Sequence, residues 1–290
     1  MTSAQQIAEE RQRVNDTVRA FLRSRGSVEV ETPVFVRSPD LSPNLTPFET
    51  TAVEPNGTKH RGALITSPEF SMKKLLGRGM EKIFTMAKVF RNGEEFGNSH
   101  NPEFTLLEWY CQGADYHACM DETEALVRKV GVTFGKTFPA FRRVRVRDLF
   151  LEYADVDLDT ADREALESAC RRLDIRMDAS DTESDLFFRL FLSKVEPQLG
   201  PDPIFVYDYP KYQAALSQLT PDGRYGQRFE LYIGGLELCN GFTELTDAVE
   251  QRRRFEEEMK ERVAAGKTPF PIDEELLRLL PSIRKPTFGN

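Results

Sequence analysis

The stretch Val89–Tyr110, VFRNGEEFGNSHNPEFTLLEWY, decides how the rest of the chain is read. It opens on an apolar run closed by Phe90-Arg91, passes through a polar segment from Asn92 to Asn101, and returns as an apolar run broken by Thr105 and Glu108. That pattern predicts a β-hairpin with a long, charged tip. Side chains alternate between the faces of a strand, so Glu108 and Tyr110 point one way and Leu107 and Trp109 the other. Arg91, at the end of the outgoing strand, carries a planar fork that can hold a phosphate bidentately. The hairpin suits an anionic, phosphate-bearing ligand beside a cationic one. Taken alone, it reads equally as a solvated tip with an ordinary charge mix.

Upstream, Ser3 to Gly26 predicts a helix: Ser3 and Gln6 form a capping box, Ile7, Val14, Val18, Phe21 and Leu22 follow helical spacing, and Gly26 ends it. Val28 to Val36 is a strand interrupted by Pro33, which has no amide hydrogen for a ladder and marks an edge or an interface. A Pro- and Ser-rich loop spans Ser38 to Pro47, and strands at Phe48–Val53 and Ala63–Thr66 flank a turn at Asn56-Gly57. Ser67-Pro68-Glu69 leads into a helix with Met72, Leu75 and Leu76 on one side.

Downstream, about residues 114 to 200 are helix-rich and read as a helical insertion in a single catalytic domain, 1–290. Within it one amphipathic helix is expected to be capped near Asp159 or Thr160. Pro203–Tyr209 is a buried strand, and Arg228–Cys239 reads as two strands around Gly234-Gly235. A charged helix follows from Ala248 to Ala265, with Val249, Phe255, Met259 and Val263 expected inward. Glu237 and Glu244, seven apart, fall on opposite faces of an uninterrupted strand. If both serve one pocket the phase must be reset, and Asn240-Gly241 is the expected place for a bulge.

The chain is long enough for a sizeable core, and no apolar run approaches the roughly 20 residues of a membrane span. The polar N-terminus lacks a secretory h-region. Cys111, Cys119, Cys170 and Cys239 are scattered and not grouped with histidines, which excludes a zinc or disulfide framework and fits a cytoplasmic protein. Asp and Glu total 47 against 39 Lys and Arg, a net charge of -8 that argues weakly against a nucleic-acid partner. Arg142, Arg143, Arg145 and Arg147 are one local basic patch, or a strand with a solvated face.

Phe90-Arg91-Asn92, a Glu at 94 or 95, His100-Asn101-Pro102-Glu103-Phe104-Thr105 and Leu107-Glu108-x-Tyr110 together resemble motif 2 of class II aminoacyl-tRNA synthetases, in the form of the lysyl-tRNA synthetases and their short paralogues. Arg228-Phe229-Glu230-Leu231, then Glu237-Leu238-x-Asn240-Gly241-Phe242-x-Glu244, resemble the same family. The resemblance implies an α+β fold with an antiparallel sheet flanked by helices, and a homodimer formed through the first helix and strand. It also implies that ATP and Mg2+ are used to form an aminoacyl adenylate. Arg91 would neutralise the α-phosphate, with Asn92, Glu94 (or Glu95), Asn101 and Phe104 around the nucleotide. Glu237 would hold Mg2+, with Leu238 and Asn240 beside it. Ser67, Pro68 and Glu69 would take the α-amino end of the amino acid, and Glu108, Tyr110 and Glu244 its side-chain ammonium.

Only a couple of residues precede the first helix, so no anticodon-binding domain is expected. No Gly-x-Asp-Arg of motif 3 occurs before Asn290. Together with Phe205-Val206-Tyr207 and Gln213-Ala214-Ala215-Leu216, these features make the chain similar to the elongation factor P lysine lysyltransferases. Those enzymes pass lysine or (R)-β-lysine to a lysine of elongation factor P instead of to tRNA. Two other readings stay open: a free-standing activating enzyme with another acceptor, and a catalytically silent binding module, which loss of motif 3 would favour.

Overall fold

The structure, a computed structural model, describes residues 3–93, 97 and 100–290. In chain order it runs α1 (Ala4–Ser24), β1 (Val28–Glu29), β2 (Phe35–Val36), β3 (Glu49–Val53), β4 (Lys59–Leu64), α2 (Glu69–Gly77), β5 (Lys82–Phe90) and β6 (Glu103–Gln112). Then come α3 (Tyr116–Thr133), β7 (Arg142–Arg145), α4 (Val146–Ala154), α5 (Arg163–Arg172), α6 (Glu183–Leu190) and β8 (Ile204–Pro210). The chain ends with β9 (Tyr225–Ile233), β10 (Leu236–Thr243), α7 (Ala248–Ala264), α8 (Glu274–Leu279) and β11 (Thr287–Gly289). It divides into two compact units.

The first unit comprises residues up to Phe21, Ala114–Glu244 and Phe288–Asn290. Its strands lie in the order β11-β10-β9-β8-β7, antiparallel except for β7 on β8. Helices α4, α5 and α6 cover one face, and Phe150 stacks on Phe187 at 4.8 Å in a core that includes Ile204, Val206, Tyr209 and Tyr232. Both Gly234 and Gly235 have positive φ, 63° and 77°, the two-residue turn that matches strand twist. Helix α1 begins with the expected capping box: Gln6 N–H donates to Ser3 Oγ at 3.1 Å, and Ser3 N–H to Gln6 Oε1 at 2.8 Å. The cap of α5 is Asp162, not Asp159 or Thr160. Asp159 is drawn elsewhere, accepting from the Tyr225 hydroxyl at 2.6 Å.

The second unit comprises Leu22–Gly113 and Leu245–Thr287. Strands β1, β5 and β6 form one sheet, and β2-β4-β3 a smaller one. Pro33 divides the expected strand into β1 and β2, which enter different sheets. The β5–β6 pair is the hairpin read from the sequence, in register from Lys82↔Cys111 to Phe90↔Glu103. Helix α7 corrects part of the expected orientation: Phe255 is buried as expected, but Val249 and Val263 are 81% and 53% exposed, and Gln251 and Arg262 are buried in their stead. Among the described residues no helix is long and apolar enough to cross a membrane.

Candidate functional site

In the second unit the hairpin and α2 meet around a buried carboxylate. Glu108 accepts from the Ser67 hydroxyl at 2.7 Å and the Tyr110 hydroxyl at 2.6 Å. Ser67 faces both ways, because its Oγ also accepts from Glu69 N–H, the first amide of α2, at 3.0 Å. One turn into the helix, Lys73 is 1% exposed and donates from Nζ to Glu69 Oε1 at 2.5 Å. Glu69 and Lys73 stand four apart, the spacing that brings helical side chains together. A cleft of about 670 Å³ borders Ser67 and Glu69, with Asp40, Ile65, Phe70 and Lys74 also in its lining; Arg91, Glu108 and Tyr110 do not line it.

The surrounding protein withholds the water these acids need. Burial pushes the Glu108 carboxyl up to about 8, the charge on Glu69 adds to the rise, and Tyr110, Ser67 and Lys73 oppose it. Burial also raises Glu69 and Asp40 above their ordinary ranges. Glu258 on α7 is pushed to about 8 by burial, then by Asp40, Glu261 and Glu69. The pocket is short of positive charge: its cations do not offset the burial of its acids.

A stability prediction follows from these directions. Between the ordinary value of 4.5 and about 8, the folded state keeps protons on Glu108 and Glu258 that the unfolded chain releases. Stability therefore falls as pH rises through that window and levels off above it. We expect the melting temperature of the ligand-free protein to drop from pH 5 to pH 8, and to drop less in Glu258→Gln. An unchanged slope in that variant would remove Glu258 from the cluster.

Arg91 follows β5 and is half-buried. Its N–H donates to Pro102 O at 2.9 Å, closing the hairpin, and its guanidinium lies 5.1 Å from the Phe104 ring centroid. The Phe104 face under the guanidinium is covered, so a base stacked on that ring would use the other face or displace Arg91. Asn92 N–H donates to Thr46 O at 2.7 Å, and Asn92 and Asn101 are exposed. Glu94 and Glu95 lie outside the described residues.

In the first unit β10 carries the remaining candidates. The bulge that resets its phase is at Leu238, between Glu237↔Tyr232 and Cys239↔Leu231, and not at Asn240-Gly241. From there Asn240↔Glu230 and Phe242↔Arg228 continue the ladder, so Glu237, Asn240 and Phe242 share one face, while Glu244 follows the strand and bridges to Ser217. Leu238, the extra residue, is 53% exposed, and Glu244 is 1% exposed. Arg228 donates from Nε to Asn240 Oδ1 at 3.1 Å and lies 4.5 Å from the Tyr209 ring centroid. It also pairs with Glu230, which accepts from the Tyr209 and Tyr232 hydroxyls.

Among the described residues no three His, Cys, Asp or Glu side chains cluster to hold a metal. Mg2+ needs no such cage, since it usually keeps several waters and takes one or two carboxylates plus substrate phosphates. An exposed carboxylate on a strand, Glu237, with Asn240 on the same face, fits that requirement.

Four participants were not singled out in the sequence: Lys73, Asp40, Glu258 and Glu230. Lys73 had a legible signal in its spacing from Glu69, and Glu230 in its alternation with Arg228 on one strand. Asp40 sits in an irregular loop, and Glu258 in a charged helix, where only tertiary contacts distinguish one acid from another. Three of the four arginines of the patch are paired: Arg143 with Asp121 at 2.6 Å, Arg145 with Asp148 at 3.2 Å, and Arg147 with Asp157 at 2.9 Å. A family model described as tRNA synthetases class II (D, K and N) matches residues 1–280.

Proposed function

The chain belongs to the class II tRNA synthetases (D, K and N), and from that premise we propose that it activates lysine or (R)-β-lysine with ATP and transfers the aminoacyl group to a lysine side chain of elongation factor P. The observation that carries the choice of substrate is Glu108, buried with two hydroxyl donors and raised to about 8 beside Glu69. A pocket short of positive charge favours a ligand that brings two ammonium groups. Aspartate would add another carboxylate and asparagine would bring one ammonium, so neither relieves both acids.

The chemistry asks for positioning. The attacking carboxylate is ionised at neutral pH and needs no general base. Arg91 holds the α-phosphate and neutralises the charge that grows there during in-line displacement. Glu69 takes the α-amino group, and Glu108, steadied by Ser67 and Tyr110, takes the side-chain ammonium; a lysine-binding role for Glu244 rests on the sequence resemblance. Phe104 offers a ring face to adenine, and Asn92 and Asn101 offer amides to the nucleotide. Glu237, with Asn240 assisting, would hold Mg2+, which would supply charge neutralisation to the leaving pyrophosphate. An acidic chain with three of the four arginines of its basic patch internally paired is better suited to a protein amine than to a polyphosphate acceptor.

The test is ATP–pyrophosphate exchange with α-lysine, (R)-β-lysine, aspartate, asparagine and a neutral panel, followed by the mass of elongation factor P after incubation. Exchange with a lysine and a one-residue mass gain are expected. Exchange confined to aspartate or asparagine would overturn the substrate assignment, and exchange without a mass gain the acceptor. Glu244→Gln should raise the KM for lysine at least tenfold, roughly the cost of one lost charged hydrogen bond, while leaving the KM for ATP unchanged. Equal losses for both ligands would take Glu244 out of the amino-acid pocket.

A further inference from the structure

Helix α7 turns a polar stripe inward. Gln251, Phe255, Glu258 and Arg262 recur at helical spacing, and Arg262 is 1% exposed. For packing alone a leucine or methionine would serve, because burying a guanidinium is costly unless its donors are met. Here the donors reach main-chain carbonyls: Nε to Thr268 O at 2.8 Å, and Nη1 to Ser42 O and Leu45 O, both at 2.9 Å. Lys267 adds a bond to Pro43 O. The carbonyls of residues 42, 43 and 45 all belong to the loop between β2 and β3.

That loop reaches the phosphate-binding end of the hairpin. Thr46 O accepts from Asn92 N–H at 2.7 Å, next to Arg91. Asp40 Oδ1 accepts from Ser42 N–H at 2.7 Å, which fixes the carboxylate in a turn where Arg91, Lys73 and Arg262 act on it. Leu41, between them, is fully buried. The loop is thus held by α7 at its middle and by Asn92 at its end.

We propose that Arg262 is a positioning residue for aminoacyl activation: it sets the loop Ser38–Pro47 and, through it, the places of Asp40 and the Arg91–Asn92 segment. The proposal rests on the reading of Arg91 as the α-phosphate ligand. A lysine at 262 keeps the charge but offers one ammonium on a flexible stem, which does not reproduce a planar fork reaching three carbonyls.

The experiment compares wild type, Arg262→Lys, Arg262→Met and the exposed neighbour Val263→Ser by melting temperature, amide hydrogen exchange and ATP–pyrophosphate exchange kinetics. In Arg262→Lys the amides of Leu45 and Asn92 should exchange about tenfold faster. Its kcat/KM should fall roughly ten- to a hundredfold, the scale of a misplacement of about 1 Å, with the KM for ATP raised. Its melting temperature should move little, and Val263→Ser should match wild type throughout. Wild-type protection at Asn92 with wild-type kinetics in Arg262→Lys would overturn the proposal. So would an activity loss that only follows the folded fraction, with KM unmoved. If the wild-type protein supports no exchange with any amino acid, the adenylate reading fails, while amide protection at Leu45 and Asn92 still decides whether Arg262 holds the loop.

Discussion

Arg91→Ala is expected to lower the kcat/KM of amino-acid-dependent ATP–pyrophosphate exchange by about a thousandfold, the upper range for losing one preorganised oxyanion donor. The fold should survive the change. The guanidinium makes a long contact to Thr66 O at 3.5 Å and lies over Phe104, an arrangement that contributes only about 0.5–1 kcal/mol at an accessible site. The hairpin closure next to it uses the Arg91 main chain, which alanine keeps. Arg91→Lys should recover about a tenth of wild-type activity or less, since a point charge replaces a bidentate fork. Near-normal exchange in the alanine variant, with both substrates saturating, would remove Arg91 from the mechanism.

Glu108→Gln should have opposite effects on binding and on stability. The KM for lysine should rise by roughly two to three orders of magnitude, within the range seen when a buried charge pair loses one partner, while the KM for ATP stays unchanged. The amide still fits between Ser67 and Tyr110, because those hydroxyls can accept as well as donate. What disappears is the cost of holding an ionised carboxylate in a dry place. Relative to wild type, the ligand-free variant should therefore melt progressively higher as pH rises from 5 to 8, the window between the ordinary value and the value of about 8 to which Glu108 is raised, and keep that difference at pH 9. A variant that binds lysine poorly and also melts lower at pH 9 would mean that Glu108 is structural cement and not a ligand for the substrate.

The hairpin was legible because nothing competes with its pattern: alternation put Glu108 and Tyr110 on one face, and the register keeps them there. The capping box at Ser3 and the turn at Gly234-Gly235 are likewise local chemistry, complete within a few residues. Helix α7 was read correctly at Phe255 and wrongly at Val249 and Val263, for an equally physical reason. Apolar periodicity finds the buried face only when that face is apolar, and here Val249 and Val263 face outward so that Glu258 and Arg262 can face the pocket and the loop. A β10 bulge was expected on the condition that Glu237 and Glu244 serve one pocket. The spacing left its position open: a glycine marks where a bulge is easy, and the ladder placed it at Leu238 instead. Lys73 was hidden by its type: a lysine on a helix normally faces water, and only the acid one turn earlier argues otherwise.

The clamp made by Arg262 also bears on how the protein is born. Ser42 and Leu45 must wait for a residue 220 and 217 positions later, respectively, and the unit that contains them is interrupted by the whole of Ala114–Glu244. At about 5–20 residues per second on the ribosome, that delay is on the order of ten seconds. During it the β5–β6 hairpin and α2 have already been made, but their covering helix has not. Nascent Glu69 and Glu108 remain hydrated and ionised over that interval, without the burial that later raises them. The pocket is among the last parts of the molecule to close, and a chain that ended just before Arg262 would hold every acid of the pocket, Glu258 included, and no means of holding the loop beside them.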